Sequence, residues 1–162
     1  MDNIAGFLIK TGLGLLALIA VAIYAVNASN DSKASTAIAD MQTFSSQVQA
    51  FYGTAPTFAT LTNTVAVNSK LATADMITGA STLVNQWQGA VTITPDATNT
   101  MFDIAHAASI PNDACAKMAS AFLNLQKLVI NSTTVATLPI DPGTASADCN
   151  AGTNSMTFTF SH

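Results

Sequence analysis

The feature that most constrains this chain is its first 52 residues, in which an apolar run passes into an amphipathic pattern without a break. Residues 11–26 contain no charged side chain, and no proline precedes Pro56. Further along, apolar residues recur every three or four positions, at Ala34, Ile38, Met41, Phe44, Val48 and Phe51. That spacing is typical of one face of an α-helix. The pattern predicts one helix from near Met1 to Tyr52, about 75–80 Å long at 1.5 Å per residue.

Three fates are open to the apolar start of such a helix. A secretory signal cleaved near Ala28 needs no amphipathic continuation, so the pattern disfavours it. A plain membrane span needs about 20 apolar residues, and Lys10 interrupts the run. A helix retained for assembly accounts for both halves. Its other faces are then predicted to carry Lys33, Thr36, Asp40, Thr43 and Gln47.

Composition restricts the classes of partner. Of 162 residues only 9% are charged and 49% are apolar, the net charge is −4, and neither Arg nor Glu occurs. Without a basic cluster to neutralise phosphates, nucleic-acid binding is not predicted. A surface rich in Thr, Ser, Asn and Ala instead suggests an exported protein.

The second half predicts an α+β domain. Gly53 and Pro56 end the long helix, and residues 57–86 are expected to form a connecting loop with one or two short helices. Alternating apolar and polar residues predict half-buried strands, at residues 91–94, 102–104 and 156–160. We expect these strands to form an antiparallel sheet laid over the C-terminal half of the long helix.

A second helix is predicted after Pro111, with Asn112 or Asp113 as its N-cap. Its apolar positions are spaced by three and four residues, at Cys115, Met118, Phe122, Leu125 and Val129. This stripe is expected to pack on the sheet.

The two cysteines, Cys115 and Cys149, form an even pair that predicts one structural disulfide in an exported protein. The alternative, a redox or metal site, has neither a CxxC spacing nor a companion cluster of histidines.

Neither a catalytic site nor a cofactor or metal site is predicted. His106 and His162 are the only histidines, and His106 is expected at a strand end, facing solvent. Trp87 is expected to pack in the core or in an interface.

Three segments of the second half resemble type IV pilins of the type IVb branch. The first is MITGASTLVNQWQGAVTITPD, in which Trp87 and Gly89 match an Asn-x-Trp-Gly-Gly motif while Gln88 replaces its first Gly. The others are FDIAHAASIPNDACAKM and ASADCNAGTNSMTFTFSH, similar to the parts of the family that bound its disulfide region. Two features depart from the family. Ala5 occupies the position of its usual Glu, and no basic leader precedes Met1, so we expect the chain in processed form.

The resemblance implies a type IV pilin fold with two parts. Residues 1–52 would form the long helix, with a hydrophobic assembly or transmembrane part at 1–28 and an amphipathic part at 29–52. Residues 53–162 would form the globular head. The residues expected at assembly interfaces are Met1, Asp2, Lys10, Gly12, Gly14, Leu16, Ile19 and Ile23.

Two features of this assembly segment follow from physical chemistry. Charges buried among apolar helices need partners, so Asp2 of one subunit is predicted to pair with Lys10 of a staggered neighbour. Gly12 and Gly14 each cost about 1 kcal/mol relative to Ala in a helix. The helix is therefore most prone to loosen at these two glycines in a filament.

The implied function is that of a major pilin, the structural subunit of a filament used in cell–cell contact, adhesion or conjugation. The implied partners are identical subunits, the inner membrane before assembly, the pilus assembly machinery and a prepilin peptidase. Two alternatives remain, a membrane-anchored extracellular binding module and a pseudopilin of type II secretion.

Overall fold

The computed structural model describes residues 29–162, and its first helix, α1, occupies residues 29–52. The apolar stripe of α1 is buried against the rest of the chain, through Ala34, Ala37, Met41, Phe44, Val48 and Tyr52. Phe51, predicted to lie in this stripe, is instead 54% exposed. The reason is that the sheet covers a side of α1 rotated slightly from the predicted one, so Tyr52 takes the buried place.

A six-stranded antiparallel sheet packs against α1, in the order β1-β2-β3-β6-β4-β5. Its strands are β1 Leu83–Val84, β2 Ala90–Pro95, β3 Phe102–Pro111, β4 Lys127–Ile130, β5 Thr133–Thr134 and β6 Thr153–Phe160. The three predicted strands are present as β2, β3 and β6. The long central pair β3 and β6 shifts register between His106 and Ile110, which bends the sheet beside the disulfide-bearing helix.

Short helices connect the strands: α2 Asn63–Asn68, a 3-10 turn Ala74–Met76, α3 Asn112–Ala121 and α4 Pro142–Asp148. The first two lie in the predicted connecting loop. Among the residues described, none of the helices is long and apolar enough to cross a membrane.

The helix after Pro111 differs from the prediction at both ends. Pro111 itself is the N-cap of α3, without a side-chain hydrogen bond, because Asn112 is used elsewhere, as shown below. Phe122 leaves the helical region, with φ −108° and ψ 118°. Leu125 therefore lies in a loop and Val129 in β4, and only the first part of the predicted stripe is helical.

The outer edge of β2 is closed by a side chain instead of a full strand. The Asn63 amide donates to the Val91 carbonyl (3.0 Å) and accepts from the Ile93 N–H (2.7 Å). Because β1 is only two residues long, Asn63 extends the pairing along β2. This arrangement protects an edge that could otherwise pair with another chain.

Candidate assembly surface and disulfide-bounded region

The residues predicted to form the assembly interface lie outside the described residues. They are Met1, Asp2, Lys10, Gly12, Gly14, Leu16, Ile19 and Ile23, and their roles remain predictions. The described part of α1 and the elements beside it are the parts of the surface that can be analysed.

Asp40 was predicted to face away from the core, but it is only 9% exposed. Its carboxylate accepts hydrogen bonds from Thr73 Oγ1 (2.9 Å) and Gln86 Nε2 (2.8 Å). Both donors belong to the connecting loop, which covers this flank of α1. Since buried carboxylates need hydrogen-bond partners, Asp40 ties the loop to the helix.

The other flank of α1 borders the chain that follows α3. Gln42, Ser45 and Gln49 form one wall of a groove of about 320 Å³, and Phe122 and Leu123 line its other side. Leu123 is 72% exposed. Nearer the start of α1, Asp31 and Lys117 form an ion pair whose side chains are 56% and 49% exposed, an arrangement that contributes little stability.

The segment Asn85–Gly89 forms the turn between β1 and β2, and it explains the Trp-Gly motif. The buried Asn85 side chain accepts hydrogen bonds from the backbone N–H groups of Trp87 (3.0 Å) and Gly89 (2.9 Å). Its amide nitrogen donates to Ser109 Oγ at 2.8 Å. Gln88 adopts a φ of 62°, a conformation that favours glycine. Backbone geometry at this position therefore suits the glycine that the similar Asn-x-Trp-Gly-Gly motif carries there.

The disulfide joins Cys115 of α3 to Cys149, which follows α4, with Cα atoms 5.8 Å apart and a sequence separation of 34. Both cysteines are buried. The bridge therefore holds the segment that contains β4, β5 and α4 against the first helix of this region.

An asparagine network beside the disulfide had no signal in the sequence. Asn154, at the start of β6, is fully buried. Its Nδ2 donates to the Ile110 carbonyl (3.1 Å) and to Asn112 Oδ1 (2.8 Å), and its Oδ1 accepts from Asn131 Nδ2 (2.6 Å). Asn112, predicted as a possible cap, is thus engaged by β6. Only long-range pairing creates this site, so residue spacing cannot reveal it.

His106 was predicted to face solvent, but it is buried in β3, opposite α1. Its Nε2 lies 3.0 Å from Met41 Sδ, and its Nδ1 has no hydrogen-bond partner. Burial lowers the pKa of His106 from 6.5 to about 4, because desolvation penalises the charged ring. The prediction failed because alternation along the strand places residue 106 on the inner face, with Phe102 and Ile104.

Within residues 29–162, no group of three or more His, Cys, Asp or Glu side chains is arranged to hold a metal ion. Trp87 packs against the core, as predicted. The main surface features beside α1 are the connecting loop on one flank and the groove on the other.

Comparison with known proteins finds one matching family model and a similar solved structure. The family model described as PilS N terminal matches residues 30–161. The crystal structure of a type IVb pilin from Salmonella typhi is similar, with a TM-score of 0.67 and 21% sequence identity, over 79% of this chain and 99% of that chain. At that identity the likeness shows the fold. No curated protein sequence matches this chain.

The family match covers most of the chain, and the helix, antiparallel sheet and disulfide agree with the type IVb pilin fold. Pilins are structural proteins, and the family implies an extracellular pilus built from identical subunits. The chain belongs to the PilS N terminal family and is a type IV pilin of the type IVb branch.

Proposed function

We propose that this chain is the major subunit of a type IVb pilus, and that it polymerises through its apolar N-terminal helix into a filament. The filament serves cell–cell contact, adhesion or conjugation. The observation that carries the proposal is the packing of α1, whose stripe from Ala34 to Tyr52 is buried against the head. Force applied to the N-terminal segment would pass directly into a folded domain.

This packing distinguishes a filament subunit from a tethered binding module. A tethered binding module would be expected to have a flexible linker rich in Gly, Ser or Pro between its membrane anchor and its head. Within the described residues, α1 runs from residue 29 to residue 52 without such a linker, and Asp40 fastens it to the connecting loop. A rigid junction is what a load-bearing subunit requires.

In this proposal, apolar burial keeps the N-terminal segment out of water before and after assembly. Before assembly, the segment 1–28 lies in the inner membrane, and a prepilin peptidase and the assembly machinery act on the subunit. In the filament, identical neighbours replace lipid around that segment. Each square ångström of apolar surface removed from water contributes about 25 cal/mol, which favours the polymer over any state in which the segment meets water.

Electron microscopy of sheared surface material tests the proposal, using gold-labelled antibodies against the head. We expect labelled filaments from cells that express the chain, none from a deletion strain, and restoration by complementation. A pseudopilin would yield only short or internal assemblies. A surface antigen that stays monomeric, with no filament in any preparation, would contradict the proposal.

A further inference from the structure

We propose that Phe51 of one copy of this chain inserts into the groove beside Leu123 of the next copy, making a head-to-tail contact between pilin heads. The inference rests on the proposed function, because the contact requires a filament of identical copies. It adds a specific interface, formed by two features on opposite flanks of α1.

The first observation is the exposure of two large apolar side chains. Among residues 29–162, the exposed large hydrophobic residues are Phe51 (54%) and Leu123 (72%). The Phe51 ring packs edge-on against Tyr52, with centroids 5.3 Å apart, so one side is supported and the rest meets solvent. Leu123 lines a groove of about 320 Å³. One molecule therefore carries both an aromatic projection and a recess.

The second observation is where these features lie. Gln47 lies one turn before Phe51 on the same side of α1, and this side faces the connecting loop. With its amide in the orientation that its neighbours favour, the Gln47 nitrogen donates to the carbonyl oxygens of Lys70 (2.8 Å) and Leu71 (3.0 Å). The groove lies along residues 42–49 on the other flank. Because consecutive residues of a helix are 100° apart around its axis, Phe51 and the centre of the groove wall are about 170° apart around α1.

This separation determines the kind of assembly. A twofold dimer uses the same patch on both partners, whereas Phe51 and the groove are different patches. A contact between different patches is heterologous, and it repeats into an open helical filament when the rotation does not close a ring. A second copy is the favoured occupant because every subunit then contributes one projection and one recess.

The chemistry of the groove suits an aromatic ring. Its walls are formed by uncharged residues: Gln42, Ser45 and Gln49 on one side, with Phe122, Leu123 and Phe160 contributing apolar surface. The recess therefore combines polar and apolar surface without a charged side chain, as the surfaces that meet in protein interfaces commonly do. The Phe51 ring could be buried there without removing any charged side chain from water.

The contact also implies a geometric offset. The groove is centred between residues 45 and 46 of α1, and Phe51 lies about 5.5 residues further along. With parallel helices at 1.5 Å per residue, the two contacting subunits would be displaced by about 8 Å along the axis.

Cysteine crosslinking in filaments of the full chain tests the contact. We expect a chain carrying both Phe51→Cys and Leu123→Cys to form a disulfide-linked ladder of dimers, trimers and higher species after mild oxidation. The matched control combines Phe51→Cys with Thr144→Cys, an exposed position in α4 outside the groove, and should give no ladder. Filaments of the first variant without a ladder, or an equal ladder in the control, would overturn the proposal.

A second pair of variants tests the same contact without cysteines. Phe51→Lys or Leu123→Asp alone should reduce filament yield by about tenfold or more, the loss expected when an apolar side chain in an interface is replaced by a charge. The double variant should recover yield by pairing the two charges. Single variants that assemble like the unaltered chain would overturn the contact while leaving the pilin function intact. Absence of filaments from the unaltered chain would instead reject the function.

Discussion

Gly89 shows how a single residue can be dictated by its neighbours across the sheet. A Cβ at this position would overlap Ser109 Oγ and lie 3.0 Å from Asn85 Nδ2. These two residues are themselves hydrogen-bonded to each other, so neither can move away without breaking the turn. The glycine is required because the turn between β1 and β2 approaches β3 closely there.

Gly89→Ala should lower the free energy of unfolding by about 1–3 kcal/mol, the usual cost of forcing atoms into a packed site. Chemical denaturation of the full chain in detergent would measure the change. Gly79→Ala is the matched control, because its new Cβ would meet only the Thr82 side chain, at 3.3 Å. Equal effects of the two substitutions would contradict the steric explanation.

His106 is the second residue whose environment has a measurable consequence. Its folded-state pKa is lowered to about 4 from 6.5, so the unfolded chain binds a proton more readily than the folded one. The free energy of unfolding should therefore be unaffected by His106 above pH 6.5 and should fall as the pH drops from 6.5 towards 4. The total loss is about 3 kcal/mol, at 1.36 kcal/mol per pKa unit.

Denaturation curves between pH 7 and pH 4 would test this expectation. In His106→Leu the part of the slope between pH 6.5 and pH 4 should disappear, because no ring remains to be protonated. His162→Gln, which removes the other histidine of the chain, is measured beside it for comparison. A slope of the same size in His106→Leu would contradict the assignment of this acid sensitivity to His106.

At the scale of elements, the disulfide links helices that the sheet alone does not secure. Strands β4 and β5 are short, and α4 is a seven-residue helix capped by the Asp141 side chain. The Cys115–Cys149 bridge closes the loop that contains all three. Its stabilising effect is expected to come mainly from the unfolded chain, whose freedom it restricts.

Cys149→Ser should lower the free energy of unfolding by about 3–4 kcal/mol, on the chain-entropy model for a loop of this length, and should reduce pilus yield. Thermal unfolding of the full chain under non-reducing conditions would measure the loss. Cys115→Ser should cost the same, and the double variant should cost little more than either single one. Additive losses would show that the cysteines act separately.

At the scale of the whole molecule, the two charges at positions 2 and 10 are predicted to set how subunits meet. They are the only charged side chains in the first thirty residues. Eight residues separate them, about 12 Å along a helix, which is too far for a contact within one chain. An axial stagger of that size between neighbours would bring Asp2 of one subunit beside Lys10 of another. This differs from the 8 Å offset inferred for Phe51, so the two contacts would join different pairs of subunits.

Asp2→Ala and Lys10→Ala should each weaken or abolish filament assembly while leaving the head folded, because each leaves a buried charge without its partner. The double variant should be less impaired than the two losses summed, and pilus yield on the cell surface is the measurement. Normal piliation in both single variants would refute the pair.

By itself, the sequence determined the features that depend on residues close together in the chain. Spacing, turn residues and export predict the period of α1, its end at Tyr52, the strands β2, β3 and β6, and the pairing of the two cysteines. Local geometry alone dictates these patterns, since helix and strand place side chains at fixed intervals. The family resemblance added the order in which the elements follow one another.

Only the tertiary structure decided which side of each element is covered. Phe51 and Tyr52 were equally compatible with the helical period, and the position of the sheet selected Tyr52 for the core. Asp40 and His106 were predicted to be exposed, but the connecting loop and α1 bury them. Alternation along β3 gives the face on which His106 lies, but the hydrogen-bond partners of Asp40 and the pKa of His106 are set by residues distant in sequence that pack against them.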